Sequence, residues 1–423
     1  MIDGEGLAQA QLKIGGSLMK SKSGCRSVAE LLLALACLGI RGSAANAQDC
    51  APNAICAGMI SAATTEGFNR RGDAEARAGA GWELTPVITG TFTVGLLLGD
   101  ARGDKTARLY ATQITTNTVK EFTYDGDWAN TSNISLPFYA EGALVLGDGR
   151  SKGSAHLYVG EFSGGGSVSE FTWDGASWTN TPMGSGRQQL LAAADGDPRS
   201  DGILHLYFAT GSSPPTNVAL EYTFDGATWG VAPIPSPIAD VTNGSFGVAV
   251  GDGRNDTVER IYEGVIGANE YLYEFSWNGA GWDASEVALI GGLPAAQIMG
   301  VVVGDGQNHG INRVYALVRG SGVREFSYDG ATWAQTAEIP IGPEVFGIAM
   351  GDGQNDLTNR LYIVQYAPSR MTEATFDGVT WQTAEVATLT GNAFRVRVGD
   401  ARGDLVNRVY ASTSAGVYEL THP

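Results

Sequence analysis

Two arginines break a pattern that the rest of the chain keeps. An apolar stretch ending in Gly-Asp recurs seven times, and in six copies the positions five and three before the Asp hold small or aliphatic residues. In the seventh copy these positions are Arg395 and Arg397. Residues two apart in a strand face the same way, so both guanidiniums point together. Planar forks of that kind can hold a carboxylate or sulfate on a ligand. The plainer alternative is that they neutralise nearby glutamates of an acidic chain. Phe138, Tyr139, Arg187, Gln188, Asp240, Asn243 and Phe246 fall in or beside the irregular segments and complete a polar and aromatic set suited to stacking on sugars and hydrogen-bonding them.

Catalytic constellations are weak. The histidines are His156, His205, His309 and His422, and there is no G-x-S-x-G elbow, H-E-x-x-H helix or phosphate loop. His156 and His205 occupy a position held elsewhere by Arg108, Arg260, Arg313, Arg360 and Arg408, which favours packing over chemistry. No catalytic residue is assigned. The repeated Asp pairs, such as Asp100/Asp104, Asp252/Asp256, Asp352/Asp356 and Asp400/Asp404, read as scaffold, because an active site is made once and these are made in several copies. The first Asp of each pair is expected to cap a turn through backbone N–H groups. The second is expected to pair with the later Arg.

These residues need a frame. The recurring tyrosines Tyr110, Tyr158, Tyr207, Tyr262, Tyr315, Tyr362 and Tyr410 are spaced by 47 to 55 residues. Each is followed by a Glu, and six copies then carry Asp-Gly or Asn-Gly and a Trp. Each unit predicts four strands: an apolar first, a second carrying Leu-Tyr or its equivalent, an alternating third, and a fourth opened by the Trp after a tight turn. About 50 residues per four-stranded unit is the spacing of propeller blades. The seventh copy lacks its fourth strand, and the segment Gly79 to Thr85, with Trp82, resembles the missing piece. The prediction is an all-β, seven-bladed β-propeller over residues 81–423, closed by an N-terminal strand that completes the last blade and so removes an exposed edge.

Phe246-Gly247-Val248-Ala249-Val250-Gly251-Asp252 and Phe346-Gly347-Ile348-Ala349-Met350-Gly351-Asp352 resemble the FG-GAP repeat of the integrin-α and VCBS type. The resemblance spans about residues 90–420. It implies the propeller fold and raises calcium in the Gly-Asp loops, with Asp195, Asp197 and Asp201 of the third copy as the best candidates. The middle carboxylates of that family's loop are missing here, and Ca²⁺ wants 6–8 oxygens.

Composition narrows the partners. The 423-residue chain carries a net charge of -18 and 43% hydrophobic residues, which supports a folded core and disfavours nucleic acid or anionic membranes. A basic start around Lys20 and Lys22, an apolar run from Val28 to Ile40 and Ala45-Asn46-Ala47 together read as a signal peptide over residues 1–47, with Met19 an alternative start. Secretion to the periplasm or the cell exterior follows. Residues 48–80 then form a linker with one small disulfide loop between Cys50 and Cys56. The expected function is a non-enzymatic binding or scaffolding propeller, monomeric and not inserted in a membrane, with glycan or protein as partner. The alternative is a polysaccharide-active lyase or hydrolase. Connections between first and second strands, and between third and fourth, are the regular ones, so the ligand face is placed on the opposite, irregular rim.

Overall fold

Apolar strands bounded by Gly-Asp and Asp-Gly turns cannot bury themselves singly, and a computed structural model pairs them into seven antiparallel sheets. It describes residues 76–423 except 164, 186–188, 212–216, 239–242 and 293–296. The expected signal segment and the Cys50–Cys56 pair lie outside the described residues. Blade one holds β3 (Thr93–Gly99), β4 (Arg108–Gln113), β5 (Thr118–Tyr124) and β6 (Trp128–Ser135). Blade two holds β7 (Leu144–Gly147), β8 (His156–Gly160), β9 (Ser167–Trp173) and β10 (Trp178–Ser185). Blade three is β11 (Leu190–Gly196), β12 (His205–Thr210), β13 (Asn217–Phe224) and β14 (Trp229–Pro235). Blade four is β15 (Asn243–Gly251), β16 (Arg260–Ile266), β17 (Asn269–Trp277) and β18 (Trp282–Gly292). Blade five is β19 (Gln297–Gly304), β20 (Arg313–Arg319), β21 (Gly322–Tyr328) and β22 (Trp333–Pro340). Blade six is β23 (Val345–Gly351), β24 (Arg360–Gln365), β25 (Arg370–Phe376) and β26 (Trp381–Thr388).

Blade seven closes the ring as expected. Its strands β27 (Ala393–Gly399), β28 (Arg408–Thr413) and β29 (Gly416–Thr421) are joined by β2 (Glu83–Thr89), which pairs with β29 from Glu83↔Thr421 to Thr89↔Gly416. The first strands line up as neighbours around the axis, and β27 lies against β3. One addition was not foreseen: β1 (Arg77–Ala78) pairs with β26 as a fifth strand on blade six.

A repeated aromatic contact fastens each blade to the next. Tyr110, Tyr158, Tyr207, Tyr262, Tyr315, Tyr362 and Tyr410 are fully buried, and each meets a Trp of the following blade edge-on. Such edge contacts contribute about 0.5–1.5 kcal/mol each beyond area burial. Between blades six and seven the Trp is Trp82, 6.0 Å from Tyr362, so the N-terminal strand supplies the seventh fastener.

A second fastener combines an ion pair within a blade with a stack onto the next. The Glu of each third strand is buried, and Arg102, Arg150, Arg199, Arg254 and Arg402 pair with Glu121, Glu170, Glu221, Glu274 and Glu419. Gln307 and Gln354 take this place opposite Glu325 and Glu373. Each of the five arginines also lies over an aromatic ring of the next blade, for instance Arg102 at 3.8 Å from the Trp173 centroid. A guanidinium that is both paired and stacked is held at fixed geometry.

Candidate functional site

The regular rim does what scaffold loops should. Asp100 accepts N–H bonds from Arg102, Gly103, Asp104 and Lys105, and Asp148, Asp252, Asp305, Asp352 and Asp400 cap their own loops in the same way. Asp104, Asp256, Asp356 and Asp404 each form a two-pronged pair with Arg108, Arg260, Arg360 and Arg408.

These loops fit calcium poorly. Their carboxylates face N–H and guanidinium donors, whereas a Ca²⁺ cage is built of oxygens. The third loop differs because His205 replaces Arg. Asp197, Asp201 and His205 come within 4.8 Å of one another, the set of this kind found among the described residues. Asp197 nevertheless accepts the N–H groups of Asp201 and Gly202, and His205 bonds Thr223 and Asp201. Asp195 is not part of this group: its carboxylate lies beside Gly147 of blade two, where burial and the charge of Glu259 push it up to about 6.

The irregular rim is where the departures gather. β23 and β27 approach so closely that a Cβ on Gly347 would lie 2.7 Å from the Phe394 carbonyl oxygen and 3.0 Å from the Arg395 Cα. Blades four to six carry glycine at this level, as Gly247, Gly300 and Gly347, and blade seven carries Arg395. Its long side chain extends into the central channel. Nη1 donates to the carbonyls of Phe346 at 3.4 Å and Phe394 at 3.3 Å, while Nη2 reaches Leu191 O of blade three at 3.5 Å. The guanidinium also lies 5.8 Å from the Phe346 ring centroid and against Gly142 of blade two. Arg395 therefore bridges four blades across the axis.

Arg397 follows two residues along β27. Its Nη1 donates to Val396 O at 3.0 Å, and no carboxylate pairs with it among the described residues. The narrow bore leaves it partly open to channel solvent yet ringed by protein, and this burial pulls its guanidinium below its ordinary range. Both arginines and Phe246 line one cavity of about 210 Å³. The remaining wall is apolar side chains and glycine, so the cavity's charged lining groups are the two guanidiniums.

The other expected residues are distributed as follows. Phe138 packs into the hydrophobic cluster between blades one and two, and Tyr139 donates its hydroxyl to Glu141 Oε1 at 2.9 Å. Asn243 opens β15. Arg187, Gln188 and Asp240 lie outside the described residues. The structure thus unites Arg395, Arg397 and Phe246, while Phe138 belongs to the blade packing.

Two features were missed in the sequence. Glu141 sits next to Gly142, and burial pushes its carboxyl up to about 7, against the opposing pull of the Tyr139 hydrogen bond and the Arg395 charge. Beside the cavity, Phe346, Phe394, Tyr366 and Phe92 form one aromatic cluster with centroid distances of 5.4 to 5.7 Å. The available signal was the aromatic that precedes the first-strand apolar run in blades one, four, six and seven, as Phe92, Phe246, Phe346 and Phe394.

No family model matches the chain, and no curated protein matches it. Among solved structures, it is similar to BBS1N in complex with ARL6DN. The mercury-soaked form gives a TM-score of 0.56 at 13% identity, covering 83% of this chain and 96% of that one. The lead-soaked form of the same complex gives 0.51 at 13% identity over the same shares of the two chains. The SapL1 lectin in complex with alpha methyl fucoside gives 0.45 at 17% identity, covering 72% of this chain and 99% of that one. At these identities the likeness to BBS1N is one of fold alone. Together with seven sheets latched by β2, the chain is a seven-bladed β-propeller.

Proposed function

We propose that this protein is an exported, non-enzymatic binding propeller that takes a glycan at the irregular-rim mouth of its central channel. One observation carries the reading: half-buried Phe346, Tyr366 and Phe92, packed on the buried Phe394, adjoin a cavity whose charged groups are Arg395 and Arg397. Aromatic faces stack on sugar rings while convergent polar groups fix orientation. The scaffold around the mouth is rigid, since every blade is riveted to the next, and binding residues on such a frame need little ordering. The resemblance of the first strands to FG-GAP repeats and the expected signal segment support a role outside the cytoplasm.

The test is a glycan array probed with the purified chain, run beside incubation with a polysaccharide panel. The reading expects saturable binding with no new reducing ends and no new ultraviolet absorbance. Turnover of any polysaccharide would replace it with the enzymatic alternative. An empty array, with a protein captured instead, would replace the glycan by a protein partner.

A further inference from the structure

We infer that the cavity beneath Arg395 is an oxyanion subsite, in which Arg397 receives a sulfate or carboxylate group carried at the end of the ligand. This deepens the glycan reading and rests on it for the identity of the carrier, though the subsite itself stands on the channel geometry.

Arginine stays protonated under all ordinary conditions, so Arg397 brings a full positive charge into a bore ringed by protein. The structure supplies it one backbone carbonyl, Val396 O, and no carboxylate among the described residues. Most part-buried arginines among the described residues have a carboxylate partner, although Arg324, like Arg397, is given a backbone carbonyl, Ile290 O. Arg102, Arg150, Arg199, Arg254 and Arg402 each have a buried glutamate. A charge enclosed by protein walls with no carboxylate opposite it is costly, and the missing partner here is an anion.

The surroundings select for an oxyanion with a specific fork. The cavity of about 210 Å³ has room for such a group together with several waters. Its other walls include Ala192, Gly247, Gly300 and Gly347, which carry no acid. Planar guanidinium geometry matches a carboxylate or sulfate through two parallel hydrogen bonds. The low-dielectric walls concentrate the field of two guanidiniums inside a molecule whose net charge is -18. A net charge of this sign repels anions from the outer surface, while the two guanidiniums attract them here. Arg395, held by weak bonds of 3.3 to 3.5 Å to three carbonyls, lies between the rim and Arg397. A ligand that exchanges those carbonyls for its own oxyanion engages both arginines at once.

The experiment titrates inorganic sulfate and free glucuronate into wild type, R397M and R397K by calorimetry, with thermal midpoints in sodium sulfate and in sodium chloride at equal ionic strength. Wild type is expected to bind both anions and to melt higher in sulfate than in chloride. R397M is expected to keep the fold, lose at least tenfold in affinity, and lose the sulfate-specific shift. R397K keeps the charge without the fork and should fall between them. Should R397M not fold, R397K alone carries the comparison, because loss of the fork must still weaken binding. Wild type that binds neither anion, or substituted chains that bind as wild type does, overturns the subsite. Array binding separates the two ideas: neutral glycans bound without any anion effect leave the glycan reading standing and remove the subsite. Sulfate binding with an empty array does the reverse.

Discussion

Glu263 is the residue whose environment fits its chemistry least. It is fully buried in β16, both carboxylate oxygens lack a hydrogen-bond partner, and burial raises its pKa well above the ordinary 4.5. The equivalent position after the recurring tyrosine holds Ala111, Val159, Phe208, Ala316, Ile363 and Ala411 in the other blades. With a raised folded-state pKa, the folded chain keeps a proton that the unfolded chain gives up. Stability therefore falls as pH rises from about 4.5 towards the folded value and stays low above it. Glu263→Ala should stabilise the chain by about 1–3 kcal/mol at pH 8 and by less at pH 5, the magnitude of relieving an unsatisfied buried polar group. Urea unfolding of both chains at the two pH values measures it, and a loss of stability at pH 8 would show that Glu263 has a partner. Glu141 gives the second residue-scale prediction. Its carboxyl, raised by burial to about 7, faces the Tyr139 hydroxyl and the Arg395 guanidinium. Protonation below pH 7 removes a negative charge that competes with a bound anion for Arg395. Sulfate affinity should accordingly rise several-fold from pH 8 to pH 6, and Glu141→Gln should flatten the profile. A profile unchanged by that substitution would place the titrating group elsewhere.

At the scale of the element, the carboxylates of the two ion pairs in blade four differ in exposure and hence in weight. Asp256 is 45% exposed in its pair with Arg260, whereas Glu274 is fully buried in its pair with Arg254. Asp256→Ala should cost less than about 1 kcal/mol, as exposed pairs do. Glu274→Ala, which strands Arg254 over Tyr328 and leaves the Tyr262 hydroxyl without its acceptor, should cost about 3–5 kcal/mol. Chemical denaturation of the two variants decides this, and equal costs would contradict the assignment of the buried pairs as the blade fasteners. What was legible in the sequence follows the same division. The strands, the hairpin turns and the loop-capping Asp could be read because each lies within a few residues of its partner. The Arg102–Glu121 type of pair could not, because its partners stand 19 residues apart and meet only once the sheet forms. Nor could β1, a two-residue pairing with nothing in its sequence to mark it.

At the scale of the molecule, closure by β2 was legible because Trp82 repeats the fourth-strand pattern, and the arginine pair was legible because it departs from one. The aromatic cluster at the channel mouth was not: Phe92, Phe346, Phe394 and Tyr366 come from three blades and become neighbours only through ring closure. The ring itself can be opened by design. A chain beginning after Thr89 lacks β1 and β2, loses the Trp82–Tyr362 contact and exposes the edge of β29. Such a chain should unfold at a lower temperature and self-associate, since unpaired strand edges recruit one another. Scanning calorimetry with light scattering would detect both, and a monomer with an unchanged midpoint would mean that β2 does not latch the ring.

The most direct measurement compares substitutions on the two rims against a single ligand drawn from the glycan array. One chain carries Phe346→Ala and Arg395→Ala at the channel mouth, and the other carries Leu357→Asn and Leu405→Asn on the opposite rim, where both leucines are more than nine-tenths exposed. Binding measured by calorimetry should fall at least a hundredfold in the first chain and stay within twofold of wild type in the second. The reverse pattern would move the ligand to the regular rim and contradict the account.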